Sequence, residues 1–93
     1  MTKSIRPKIK AQYVGTPANG RYLELYTEFD GMGRIVATIL ADELDESLWL
    51  EVEVNGRPVQ VPLDLVKKAI ESSATGVHSE QWYEKNVYSK NPA

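Results

Sequence analysis

The stretch Leu48-Trp49-Leu50-Glu51-Val52-Glu53-Val54-Asn55-Gly56-Arg57-Pro58-Val59-Gln60-Val61-Pro62 decides how this chain folds. At its centre, Asn55 and Gly56 both tolerate positive φ, which a two-residue type I′ hairpin turn requires at both central positions. With those two as the loop, Val54 faces Arg57, Val52 faces Val59 and Leu50 faces Val61. The apolar sets of the two strands then meet on one face, as side-chain alternation demands. Glu51, Glu53 and Gln60 fall together on the other face. A slip of one residue destroys the match, so the register is well specified.

The prolines place this hairpin in its sheet. The pair flanking a two-residue loop is hydrogen-bonded, and bonding alternates from there. The nitrogens of positions 58, 60 and 62 therefore point away from the partner strand. Pro58 and Pro62 have no N–H to donate, so no further strand pairs on that side. Residues 57–62 are expected to form a sheet edge, protected by its prolines against stray pairing.

Upstream, Tyr22, Glu24, Tyr26 and Glu28 alternate with Leu23, Leu25, Thr27 and Phe29, the pattern of a half-buried strand. Asp30-Gly31-Met32-Gly33 reads as the turn that ends it, without the spacing of a phosphate-binding loop. Arg34 to Leu40 is apolar and β-branched enough to return as the next strand. Its register is open: Val36/Thr38/Leu40 or Ile35/Ala37/Ile39 face inward, and a helix from Ile35 to Leu44 competes. Ala41 to Ser47 reads as a short helical turn or loop. Pro7 to Val14 is the expected first strand, followed by a loop from Gly15 to Gly20 that carries the second Asn-Gly pair, Asn19-Gly20. That pair is assigned the same turn chemistry as Asn55-Gly56.

After Pro62 the apolar period changes. Leu63, Val66, Ala69 and Ile70 recur at helical spacing, with Lys67, Lys68 and Glu71 on the other side. Asp64 suits a helix N-terminus and Gly76 a C-terminal stop. Ser79 is placed to cap a second short helix through Trp82, Tyr83 and Val87. A sheet face lined by Leu, Val and Phe needs a cover, and the helix starting near Leu63 is the natural one. The expected fold is α+β: an antiparallel sheet of four or five strands, with one or two C-terminal helices packed on one face. Ninety-three residues are expected to form one domain, with flexible ends at 1–6 and 89–93.

Composition narrows the function. There is no cysteine, hence no disulfide framework or thiolate chemistry, and one histidine, His78, in the loop between the expected helices. A hydrolase needs a base oriented by a third group and facing a nucleophile, and nothing near His78 supplies them. Glu24/Glu28 and Glu51/Glu53 stand roughly 7 Å apart along their strands, but the chain is too short to wall a sugar cleft around them. Asp42, Glu43, Asp45 and Glu46 lack the order and the glycine of an EF-hand loop. No catalytic residue, metal or cofactor is expected. Without an apolar run of membrane-spanning length or the h-region of a secretory signal, the chain reads as cytoplasmic.

Charge is segregated. Residues 1–21 hold Lys3, Arg6, Lys8, Lys10 and Arg21 and no acid, whereas residues 22–54 hold nine acids against Arg34 alone. Tyr22, Glu24, Tyr26 and Glu28 on one strand, with Trp49, Glu51 and Glu53 on the hairpin, interleave aromatic and acidic groups on the outward side. Tyrosine and tryptophan are the usual anchors of protein interfaces. The expected function is non-catalytic protein binding. The acidic face would mimic nucleic acid and inhibit or regulate a basic, nucleic-acid-handling partner, the logic of small acidic inhibitors from phages and mobile elements. The alternative is a nucleic-acid-binding accessory protein using Lys3, Arg6, Lys8, Lys10 and Tyr13. Homodimerisation through the aromatic face competes with both.

Overall fold

A computed structural model describes residues 3–88. Five strands, β1 (Lys10–Thr16), β2 (Gly20–Phe29), β3 (Met32–Ala41), β4 (Leu48–Val54) and β5 (Arg57–Pro62), precede two helices, α1 (Leu63–Gly76) and α2 (Glu80–Tyr83). A single π-helical turn, Glu84–Tyr88, follows α2. The strands form one antiparallel meander in the order β1-β2-β3-β4-β5, so the fold is α+β and β5 is an edge.

The β4–β5 register is the expected one, from Val54↔Arg57 to Trp49↔Pro62. Asn55 and Gly56 take φ of 52° and 78°, the left-handed values a type I′ turn needs. Asp30 (55°) and Gly31 (72°) make a second two-residue turn of the same kind. Met32 and Gly33, read from sequence as turn residues, already belong to β3. The Asn19-Gly20 pair also departs from expectation. Thr16 pairs with Gly20 across a loop of three residues, the Asn19 N–H donates to the Thr16 carbonyl at 3.0 Å, and only Gly20 has positive φ. Pro17 at the second position of that turn fixes φ near −65° and favours this wider loop over a type I′ turn. β1 accordingly starts and ends later than expected, at Lys10 and Thr16.

Residues Ile35 to Ala41 are strand, which removes the competing helix. Of the two registers open for β3, Ile35/Ala37/Ile39 inward holds at Ala37 and Ile39 and fails at Ile35, while Thr38 and Leu40 lie on the Glu24 side. Ala37 pairs with Leu25 and Ile35 with Tyr26, so Val36 is an extra residue, a bulge. The bulge reverses parity, placing Ile35 on the Tyr26 side and Ala37 and Ile39 on the Leu25 side. Asp42 to Ser47 form a loop, closed by the Asp42 N–H donating to the Ser47 carbonyl at 2.8 Å.

Alternation now sorts the sheet into two faces. One carries Tyr22, Glu24, Tyr26, Glu28, Leu40, Trp49, Glu51 and Glu53; the other carries the Leu23–Ile39–Leu50–Val61 row and its neighbours. The sequence reading had α1 covering this apolar face. In the structure α1 meets chiefly β4 and β5, and none of its residues is buried. The reason is the junction: β5 ends at Pro62 and α1 begins at Leu63, leaving no loop to turn the helix back over the sheet. Among the described residues only Ala37 (7% exposed) and Thr27 (2%) are buried. The radius of gyration is 18.6 Å, against about 12 Å for a compact chain of this length.

Candidate functional site

The aromatic–acidic face is built by register. Gln12↔Glu24, Glu24↔Thr38, Thr38↔Glu51 and Glu51↔Gln60 run as one polar row across all five strands. Beside it, Tyr22 on β2, Leu40 on β3, Trp49 on β4 and Pro62 on β5 form an apolar and aromatic row. Adjacent strands lie roughly 4.8 Å apart, so Glu24 and Glu51, separated by β3, stand ~10 Å apart. Tyr22, Glu24, Ile35, Thr38, Leu40 and Glu51 line a groove between them. All seven residues singled out from the sequence (Tyr22, Glu24, Tyr26, Glu28, Trp49, Glu51 and Glu53) thus share one face. Glu28 and Glu53 are exposed and the other five half-exposed.

Gln12, Gln60 and Gly33 shape this surface, and of these only Gln60 is placed on it by the sequence. Gln12 Nε2 donates to Glu24 Oε1 at 3.3 Å, and Gln60 Nε2 donates to Glu51 Oε1 at 2.9 Å. These neutral amides orient the carboxylates and leave their charge in place. Gly33 provides room for the Tyr26 ring, whose hydroxyl occupies the space a Cβ at Gly33 would take. The Glu51–Gln60 pair follows from the hairpin register, whereas the Gln12–Glu24 pair is legible only once β1 has been given its register.

Trp49 is held from the preceding loop. Its Nε1–H donates to Ser47 Oγ at 2.9 Å, and the Ser47 hydroxyl donates to Asp45 Oδ1 at 2.7 Å. The Ser47 N–H reaches the same oxygen at 3.0 Å. These bonds favour the ionised carboxylate, and the Ser47 hydroxyl first, then its N–H, hold Asp45 below its ordinary pKa of 3.8. Asp42 Oδ1 accepts the Leu44 N–H at 2.8 Å. Two of the four acids in 42–46 are therefore engaged with the loop's own hydrogen bonds.

The arginines of the sheet lie on its other side, while Lys8 and Lys10 line a cleft with Tyr26 and Glu28. Among the described residues no lysine or arginine forms an ion pair with Glu24, Glu28, Glu51 or Glu53. Lys10 pairs with Tyr26 and shares their face at its β1 margin. Arg21 lies over the Tyr13 ring, 4.5 Å from its centroid, and Arg34 over Phe29 at 5.4 Å, both on the opposite side of the sheet. Arg57 joins them there, paired with Val54. Charge is divided across the thickness of the sheet as well as along the sequence.

The alternative set does not assemble in the same way. Tyr13 pairs with Leu23 on the apolar face, whereas Lys10 lies on the acidic one. Lys3, Arg6 and Lys8 precede β1 in an unpaired stretch, tied to the sheet where Thr27 Oγ1 donates to the Lys8 carbonyl at 2.7 Å. His78 is stacked on Trp82, with ring centroids 3.6 Å apart, and its Nε2–H donates to the Thr75 carbonyl at 3.1 Å. Ser79 caps α2 as expected, accepting the Trp82 N–H at 3.2 Å. Among the described residues no three His, Cys, Asp or Glu side chains converge to hold a metal, and no helix is long and apolar enough to cross a membrane. Compared with known protein families, with curated proteins and with solved structures, the chain matches none.

Proposed function

We propose that this chain is a non-catalytic protein-binding domain whose acidic sheet face docks on a basic, nucleic-acid-handling partner and inhibits or regulates it. One observation carries the reading: the four carboxylates and three aromatic side chains come from β2 and β4, share one face, and among the described residues the carboxylates form no ion pair with a lysine or arginine. A groove flanked by Glu24 and Glu51 and bordered by Tyr22 suits a long cationic side chain, which gains from the carboxylates and from the ring. Carboxylates repeating every ~7 Å along β2 and β4 present charge at intervals resembling those of successive phosphates. Opposite potentials of this kind steer encounter and reject wrongly charged partners.

Two charge-reversal variants test it. Changing Glu24, Glu28, Glu51 and Glu53 to Lys is expected to abolish partner capture with the circular dichroism spectrum unchanged. Changing Lys3, Arg6, Lys8 and Lys10 to Glu is expected to leave capture nearly intact. Pull-downs from lysate are run with and without nuclease, and the bound protein is expected to survive nuclease. If only the second variant loses function, or the wild type binds oligonucleotides with steep salt dependence, the chain is instead a nucleic-acid binder using its basic arm.

A further inference from the structure

The sheet face opposite the carboxylates is left half-buried, and the apolar stripe of α1 meets β4 and β5 only at its start, where Leu63 and Val66 are half-buried. A compact chain of 10.5 kDa leaves about 5,400 Å² in solvent, whereas this one leaves 8316 Å². Residues 1, 2 and 89–93, counted as fully extended chain, account for at most about 1,100 Å² of the difference. About 1,800 Å² of surface that a chain of this size ordinarily buries therefore remains open. On the helix side, Ile70 is 63% exposed at the far end of the stripe formed with Leu63, Val66 and Ala69. Both halves of a helix-on-sheet layer exist in one chain, yet the loopless Pro62–Leu63 junction keeps them from closing on each other.

We propose that a second copy of this chain provides the cover, each α1 lying across the apolar sheet face of the other about a two-fold axis. A reciprocal contact of this type is isologous, with the same stripe and the same face used twice. It seals the sheet and the helix together, whereas an unrelated partner on the sheet would leave the helix stripe open. This excess belongs to the whole chain and so sets an upper bound: at most about 1,800 Å² from each copy, or about 3,600 Å² in all, a ceiling that admits the 2,000–5,000 Å² of permanent homodimers. Arg21, Arg34 and Arg57 border an aliphatic centre, the arrangement of an apolar interface core with a polar rim. The acidic face lies on the far side of the sheet and stays available, so this inference stands apart from the proposed function.

The chain has no native cysteine, which makes single cysteines site-specific reporters. Wild-type protein at about 20 μM is expected to sediment at twice 10.5 kDa. Chains carrying Ile70→Cys are then mixed with differently tagged chains carrying Leu25→Cys, Leu50→Cys or Val59→Cys, and oxidised. Disulfide-linked mixed dimers are expected for at least one pairing. The double variant Leu50→Cys/Ile70→Cys is expected to cross-link between copies. A monomeric wild type overturns the proposal, as does an internal disulfide formed within single chains of the double variant. A dimer that cross-links in none of the three pairings overturns the placement of α1.

Discussion

Ser47 shows how one small side chain sets both a loop and a binding residue. It accepts from the Trp49 indole and donates to the Asp45 carboxylate, so the loop and the aromatic row share a single hydroxyl. In Ser47→Ala the largest influence depressing Asp45 is removed, and its carboxyl is expected to titrate closer to 3.8, as followed by carboxyl NMR. The indole, measured in a Trp82→Phe background, is expected to turn its N–H to water and emit at longer wavelength. The pH sense in the wild type follows from the sign of the shift. A carboxyl depressed in the folded state supports that state above its unfolded pKa, and the support is lost as acid carries the pH below about 3.8 and through the folded value. An Asp45 titration unaffected by Ser47→Ala would show that the hydroxyl does not hold the carboxylate.

At the scale of elements, the hairpins carry the fold because their turns are chemically prescribed. Gly56 sits at φ 78° with open space where a Cβ would go, so the cost of a side chain there is backbone strain alone. Gly56→Val is expected to destabilise by more than ~1 kcal/mol, because a β-branched residue is poorly tolerated at positive φ. For a domain of this size that lowers Tm by about 4–8 °C, while Gly56→Asn, tolerant of the same φ, is expected to lose less. An unchanged Tm for the valine variant would remove the type I′ assignment. The same reasoning explains what was legible from sequence. The β4–β5 register, its proline-marked edge and the alternation of β2 all follow from a period of two counted from a turn, and with them the three aromatic and four acidic residues of the acidic face, though not its Gln12, Ile35, Thr38 and Leu40. β3 resisted because the bulge at Val36 breaks that period, so no single register could fit both its ends. Gly33 was misread because its role is to clear space for a tyrosine on the neighbouring strand, which adjacent residues do not reveal. The need for a cover over the apolar face favours a helix lying on it, but Pro62 passes directly into Leu63 and holds α1 at the β4–β5 side.

At the scale of the whole molecule, the open apolar surface ties stability to company. If two copies complete one another's layers, folding and association are linked by mass action. The midpoint of thermal unfolding is then expected to rise by several degrees as concentration increases about a hundredfold, as calorimetry or circular dichroism would record. A midpoint independent of concentration would mean that the isolated chain is stable as it stands. One more feature bears on how such a molecule meets its surroundings. β3 and β4 are joined only from Thr38↔Glu51 to Ala41↔Leu48, and beyond that seam the two hairpins part around a cleft lined by Ile35, Val36, Val52 and Pro58. Two leaves on so narrow a spine bend more readily than a sheet bonded along its full length. Glu28 and Glu53 ride on separate leaves, so flexing alters the gap between them while the Glu24–Glu51 pair at the spine holds its spacing. The short seam thereby sets the carboxylate spacing firmly at one end of the surface and leaves it to the hinge at the other.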